Sequence, residues 1–278
     1  MRDSSFLSRR AALTILGAGA WAARSVAATP AQPLPFTALD HVEIYVPDAA
    51  RSAALYAGIF GAPVWKNNKT PRRYVKFGPC YIAIEQGNDP RRVDHISAGI
   101  ADYQIAALHT FLDGRGLAYR DFPSGRDLNV TDPDGIRVQL SADQSWHSLE
   151  GSTASPEAGS SGGEPIFHAT GIDHILLNVT DPEKSAAFYE KMFGAVTQRN
   201  NNRTWFQVGK SRIGLLQTPS GQKPGVNHFC VAATAFDYDA VTHKLEQAGA
   251  KVEKPEVAGA PEFRDLDGFL VQVMTPRS

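Results

Sequence analysis

Stretches in which apolar and polar residues alternate recur along the chain, and each is followed by a longer stretch of helical character. In Leu39-Asp40-His41-Val42-Glu43-Ile44-Tyr45-Val46, an extended backbone sends Val42, Ile44 and Val46 to one side and His41, Glu43 and Tyr45 to the other. This is the pattern of a strand with one face against a helix layer. A helical stretch then runs from Asp48 to Gly61. Ile172–Val179 repeats the strand, and Asp181-Pro182 opens a second helix, with proline in the first turn and Gly194 as the stop. Similar strands start at His95 and His228, and their helices, near 102–115 and 237–248, stop at Gly116 and Gly249. Further strand-like runs are Tyr74–Phe77, Tyr81–Glu85, Ile136–Leu140, Trp205–Val208, Ile213–Gln217 and Leu270–Met274. The expected fold class is α+β, built from four strand–helix–three-strand (βαβββ) modules.

The modules are themselves paired. An offset of 133 carries His41 to His174, Asp48 to Asp181, Ser52 to Ser185, Tyr56 to Tyr189, His95 to His228, Asp132 to Asp265 and Gln139 to Gln272. The register breaks near residue 80, where one loop changes length. Two homologous domains are therefore expected at 36–142 and 167–275. Residues 143–166, rich in Gly and Ser, read as a flexible surface linker. Whether modules pair within the chain or by exchange between two copies, as a homodimer, is left open by the repeat.

Composition narrows the class. Lys+Arg is 28 and Asp+Glu 29, for a net charge of -1, so no basic excess is available for nucleic acid. No apolar run reaches the roughly 18 residues of a membrane span, and no stable membrane insertion is expected. Two cysteines, Cys80 and Cys230, cannot form a disulfide scaffold and are expected to be buried thiols. Residues 1–27 combine a basic start, a short glycine-diluted apolar middle and small residues before Ala27-Ala28. Ser8-Arg9-Arg10 resembles a twin-arginine (Tat) signal, which implies the Tat export machinery as a partner and a periplasmic or secreted protein. That route moves folded proteins, which suits a cofactor loaded before export.

On the faces turned away from the helices, each domain places two histidines and a glutamine: His41, His95 and Gln139 in the first, His174, His228 and Gln272 in the second. The spacings are 54 and 44 residues in both, and these are four of the eight histidines. Two imidazoles and an oxygen donor suit a divalent metal with open positions, Fe(II) or Mn(II), with Zn or Ni not excluded. Open positions would let a small substrate chelate the metal through oxygen. Glutamine brings a neutral oxygen where a carboxylate would bring charge. Duplication would also copy structural histidines, so a metal-free reading stands beside the metal one.

Asp40-His41-Val42-Glu43-Ile44, Val93-Asp94-His95-Ile96, Asp132-Pro-Asp-Gly-Ile-Arg-Val-Gln-Leu140 and Asp181-Pro-Glu-Lys-Ser-Ala-Ala-Phe-Tyr-Glu-Lys-Met-Phe-Gly194 resemble the vicinal oxygen chelate (VOC) superfamily. That superfamily includes glyoxalase I, extradiol dioxygenases, methylmalonyl-CoA epimerase and the fosfomycin and bleomycin resistance proteins. The resemblance covers nearly the whole chain after the signal. It implies two tandem domains whose modules form concave mixed sheets with a metal in the hollow. His41, His95, His174 and His228 fall on the family's histidine ligands. Gln139 and Gln272 fall where a glutamate ligand is usual. A fourth position lies near Glu85 and Gln217, and an inward Glu85 would complete His41, Glu85, His95 and Gln139. Glu43, Tyr45 and Arg137 stand beside these ligands as candidate catalytic groups, with Ser97. The second domain offers the more apolar Leu176, Asn178, Cys230 and Leu270, so the first is favoured if only one is active, although extradiol enzymes of four modules usually use the second.

Two functions follow. One is an exported, metal-dependent glyoxalase- or dioxygenase-like enzyme acting on a small molecule with vicinal oxygens. The other is a metal-free protein that sequesters a small molecule, as bleomycin resistance proteins do.

Overall fold

The computed structural model describes residues 34–87, 92–159, 164–200 and 202–276. The expected signal segment 1–27 lies outside them. Two mixed sheets carry the chain, each built from its own half of the repeat. The first has nine strands: β1 (Phe36–Val46), β2 (Val64–Asn67), β3 (Arg73–Phe77), β4 (Cys80–Gln86), β5 (Arg92–Ile100), β6 (Tyr119–Asp121), β7 (Leu128–Thr131), β8 (Arg137–Ala142) and β9 (Ala154–Pro156). Their order is β6-β7-β8-β5-β1-β4-β3-β2-β9. The second has eight: β10 (Ala169–Val179), β11 (Gln198–Asn200), β12 (Arg203–Val208), β13 (Ser211–Gln217), β14 (Gly225–Ala233), β15 (Lys251–Glu253), β16 (Glu262–Arg264) and β17 (Leu270–Met274). Their order is β11-β12-β13-β10-β14-β17-β16-β15.

Each sheet is two modules joined back to back through their first strands. β1 runs antiparallel to β5, while β1–β4 and β5–β8 are parallel. β10, β13, β14 and β17 repeat this arrangement. Module pairing is thus within the chain and within each half.

The helices are α1 (Ala49–Phe60), α2 (Ile105–Asp113), α3 (Trp146–Leu149), α4 (Pro182–Phe193) and α5 (Tyr238–Gln247). Asp48 caps α1 by accepting from the Arg51 amide, and Gly61 closes it in the left-handed conformation that glycine adopts without steric cost. The alternation does what it promised: Val42, Ile44 and Val46 are wholly buried, with Ala53, Tyr56 and Phe60 of α1 in the same core. Burying each such aliphatic side chain stabilises the fold by about 1.5–3 kcal/mol. That leaves the opposite sheet face for chemistry.

Part of the expected linker is ordered structure. α3 and β9 lie within 143–166; β9 pairs with β2, and Trp146 packs edge-on against Trp65 and Tyr74. A run of small residues reads as flexible by composition, but one buried indole anchors it.

The halves lock together reciprocally. Tyr56 of α1 donates to Asp265 at 2.5 Å, and its repeat mate Tyr189 of α4 donates to Asp132 at 3.0 Å. Ser52 donates to Asp267 at 2.5 Å, and Asp134 accepts from the Thr180 amide at 2.9 Å. Each Asp-x-Asp-Gly turn therefore receives the other half's helix. Tyr56→Phe leaves the buried Asp265 carboxylate short of one donor, and a loss of about 1.5–3 kcal/mol is expected. Urea unfolding measures this; a midpoint unchanged from wild type would remove the lock from the stability of the fold.

Candidate functional site

Strand register decides which side chains meet. Across β1 and β5, Glu43 faces His95 and His41 faces Ser97. Across β5 and β8, Ser97 faces Gln139 and His95 faces Arg137. Across β1 and β4, His41 faces Tyr81 and Tyr45 faces Glu85. His41, His95 and Gln139 line a cavity of about 450 Å³, together with Glu43, Tyr45, Asp94, Asp127 and Arg137.

The two histidines converge. Nε2 of His41 stands 3.1 Å from Nε2 of His95. Nδ1 of His41 bonds Asp40 at 2.8 Å, and Nδ1 of His95 bonds Asp94 at 3.1 Å. A carboxylate only accepts, so each Nδ1 carries its proton and each neutral ring turns a lone pair from Nε2 toward the other. Two facing lone pairs repel unless a proton or a cation lies between them. Two nitrogens each about 2.1 Å from one cation stand about 3 Å apart as neighbouring ligands. Burial pushes the pKa of His41 below its usual value, outweighing Asp40, so the neutral, ligating form is favoured.

The supports of this pair are held in turn. Asp40 accepts from the Ser145 amide at 3.0 Å and from its hydroxyl at 2.6 Å. Tyr81 stacks on His41 with ring centres 4.5 Å apart, and its hydroxyl lies 3.0 Å from Ser145 Oγ. Asp94 is paired with Arg137 and lies 3.5 Å from Arg92. Burial alone would raise the Asp94 pKa, but His95 and Arg137 hold it below its ordinary value. Arg137, expected beside the ligands, thus spends its guanidinium on the carboxylate that orients His95. Glu43 Oε2 is 3.9 Å from His95 Nε2 and is paired with Arg72. Tyr45 lies under Arg92, 4.0 Å from its guanidinium; burial and the nearby carboxylates raise its pKa.

Glu85 does not join the histidine pair. Tyr81 holds the β4 position beside His41, four residues before Glu85, whose carboxylate is 3.6 Å from Arg72. Glu43, Asp94 and His95 form a group whose possible ligand atoms lie within 4.8 Å of one another, and Glu85 is not part of it. The twofold spacing of side chains along β4 puts Tyr81 and Glu85 on one face but about 13 Å apart along the strand.

The second domain repeats the core of this geometry in a smaller cavity of about 160 Å³, lined by His174, His228 and Gln272 with Arg203, Trp205 and Arg212. The Nε2 atoms of His174 and His228 are again 3.1 Å apart. Nδ1 of His174 bonds Asp173 at 2.6 Å, and Nδ1 of His228 bonds the Asn227 side-chain oxygen at 2.8 Å. Burial, then His174 and Arg203, push the His228 pKa down to about 3. Cys230 faces both His174 and Gln272 in the sheet, and its sulfur comes within 4.8 Å of Asp173 and His174. Gln217 bonds the Thr180 carbonyl instead of entering the cavity. Arg212, over the Trp205 ring at 4.4 Å, takes the place that Tyr81 has in the first domain.

Arg72, Tyr81, Asp127, Ser145, Arg203, Arg212 and Glu262 were not legible as site residues. Asp40, Asp94 and Asp173 had a signal, since each directly precedes its histidine.

Residues 171–273 match the model of the Glyoxalase/Bleomycin resistance protein/Dioxygenase superfamily. The sequence matches no curated protein. Among solved structures, the Mn(II)-bound glyoxalase from Novosphingobium aromaticivorans shares the fold with a TM-score of 0.66 and 17% identity, over 88% of this chain and 84% of that one. Homoprotocatechuate 2,3-dioxygenase from Arthrobacter globiformis follows it with a TM-score of 0.65 and 16% identity, over 88% and 82%. The halotolerant catechol dioxygenase BphC gives a TM-score of 0.63 and 14% identity, over 87% and 86%. The family match covers the second domain, 171–273, and the fold that these structures share runs along most of the chain.

Proposed function

We propose that this chain is a divalent-metal-dependent enzyme of dioxygenase or glyoxalase type, with its working site in the first domain. The observation that carries this is the pair of Nε2 lone pairs, 3.1 Å apart, each fixed by a carboxylate on the far side of its ring. The residues fit a cation: His41 and His95 would hold it, with Gln139 as oxygen donor. Bound there, a divalent metal would polarise two oxygens of a small substrate. Fe(II) and Mn(II) suit two imidazoles and an oxygen, and a solved neighbour of this fold is Mn(II)-bound.

Chain residues supply the rest. Asp40 and Asp94 hold the imidazoles in the ligating tautomer. Glu43, buried beside His95, is placed to take a proton from a substrate in the cavity, and Tyr45 lines the same wall. The first cavity, about 450 Å³ against about 160 Å³, also has the room for a substrate. Export of the folded, metal-loaded protein by the twin-arginine route belongs to this proposal and is supported by Ser8-Arg9-Arg10.

Metal analysis of the purified full chain supplied with Mn(II) or Fe(II) tests it. A tightly bound equivalent is expected, lost in His41→Ala/His95→Ala and kept in His174→Ala/His228→Ala. Metal-free protein that still binds a small ligand would support sequestration instead, the reading favoured by the neutral Gln139 and Gln272.

A further inference from the structure

A glutamine ligand leaves a metal site short of negative charge, and both domains carry the missing carboxylate one step behind the glutamine. In the second domain Gln272 Nε2 donates to Glu262 Oε1 at 2.8 Å, and Glu262 is buried directly opposite it on β16. In the first domain Asp127, the half-buried residue that leads into β7, lines the same cavity as Gln139, whose amide offsets part of the rise that burial gives the Asp127 pKa. These carboxylates are not repeat mates. Asn129, not Asp127, stands opposite Gln139 in the sheet as Glu262 stands opposite Gln272. Each domain thus sets a carboxylate near its glutamine, from different positions of the repeat.

A carboxylate accepts and cannot donate, so it takes the amide N–H of the glutamine and leaves Oε1 as the available ligand atom. An amide whose N–H is held by a full negative charge has a more electron-rich carbonyl oxygen. Both glutamines line the cavities of their histidine pairs. We propose that Gln139 and Gln272 bind a divalent cation through Oε1, and that Asp127 and Glu262 supply from behind the negative charge a glutamate ligand would carry. This rests on the metal-dependent reading above and names the positioning residues for it. Two arginines line each cavity, but Glu43, Asp94 and Asp127 line the first against Glu256 in the second, so the first domain is the tighter site.

Mn(II) titration of the full chain, followed by the electron paramagnetic resonance signal of free Mn(II), tests this. His174→Ala/His228→Ala isolates the first site. In that background Asp127→Asn is expected to weaken Mn(II) binding about 10–100-fold. Adding Gln139→Glu to Asp127→Asn is expected to restore it, because the charge has moved to the ligand itself. An Asp127→Asn protein that is folded by circular dichroism and binds Mn(II) as before overturns the inference, as does failure of Gln139→Glu to rescue. Both results leave the proposed function standing if adding His41→Ala/His95→Ala to the same background abolishes binding. Mn(II) binding that survives all four substitutions sinks the proposed function itself.

Discussion

Gly209→Ala is expected to destabilise the protein by roughly 2–5 kcal/mol, more than a single glycine substitution in a surface turn. Gly209 has φ +57°, and a Cβ there would lie 2.0 Å from the Thr37 carbonyl oxygen and 2.1 Å from its carbon. Those atoms are backbone of the other domain, pinned by the Lys210 amide, which donates to Thr37 O at 2.8 Å. The left-handed conformation costs an alanine about 1–2 kcal/mol, and forcing packed backbone apart costs about 1–3 kcal/mol more. Gly78 makes the mirror contact: with φ +52°, its Cβ would lie 2.2 Å from the oxygen of Thr170, the repeat mate of Thr37. Gly135 supplies the control, with φ +88° and open space around its Cβ position. Only the conformational cost applies there. Urea unfolding of the three alanine variants separates the two contributions. Equal midpoint shifts for Gly209→Ala and Gly135→Ala would mean the domains do not depend on this close approach.

Neither Gly78 nor Gly209 was visible as special in the sequence, and the reason is general to this chain. What could be read was whatever repeats along one strand. Alternation in Leu39–Val46 correctly assigned Val42, Ile44 and Val46 to the core and His41 to the opposite face. The offset of 133 then found the second trio. What could not be read was whatever depends on the neighbouring strand. Tyr81 beside His41, Asp127 in the cavity of Gln139 and Glu262 on Gln272 are set by hairpin lengths and register. Glu85 shows the same limit, being on the right strand and face but in the wrong row. Ser145 lay in a stretch whose composition read as linker, yet it holds Asp40 and through it His41. The domain contacts were half legible, since the Asp-x-Asp-Gly turns and the two tyrosines stood out as repeats without revealing that each pairs across to the other half.

Acid is expected to unfold the metal-free protein through its buried imidazoles. The pKa of His228 is lowered from 6.5 to about 3, by burial first and then by His174 and Arg203, and that of His41 is lowered by burial. A histidine whose native pKa is depressed resists protonation when folded and accepts it when unfolded. Its contribution to stability is whole above pH 6.5 and is lost progressively as pH falls toward the native value. At about 1.4 kcal/mol per pH unit for each excluded proton, His228 alone removes about 2–3 kcal/mol between pH 6.5 and 4.5. Asp132 and Asp265 act in the opposite sense, because burial raises their pKa, but only in the carboxylate range at the acid end of this window. Chelator-treated protein should therefore show a thermal midpoint that declines from just below pH 6.5, and His228→Gln should flatten the decline. Mn(II) competes with protons for the same imidazole lone pairs, so it should raise the midpoint at neutral pH and lose that effect in acid. A His228→Gln profile as steep as wild type would show that the paired imidazoles are not what acid attacks.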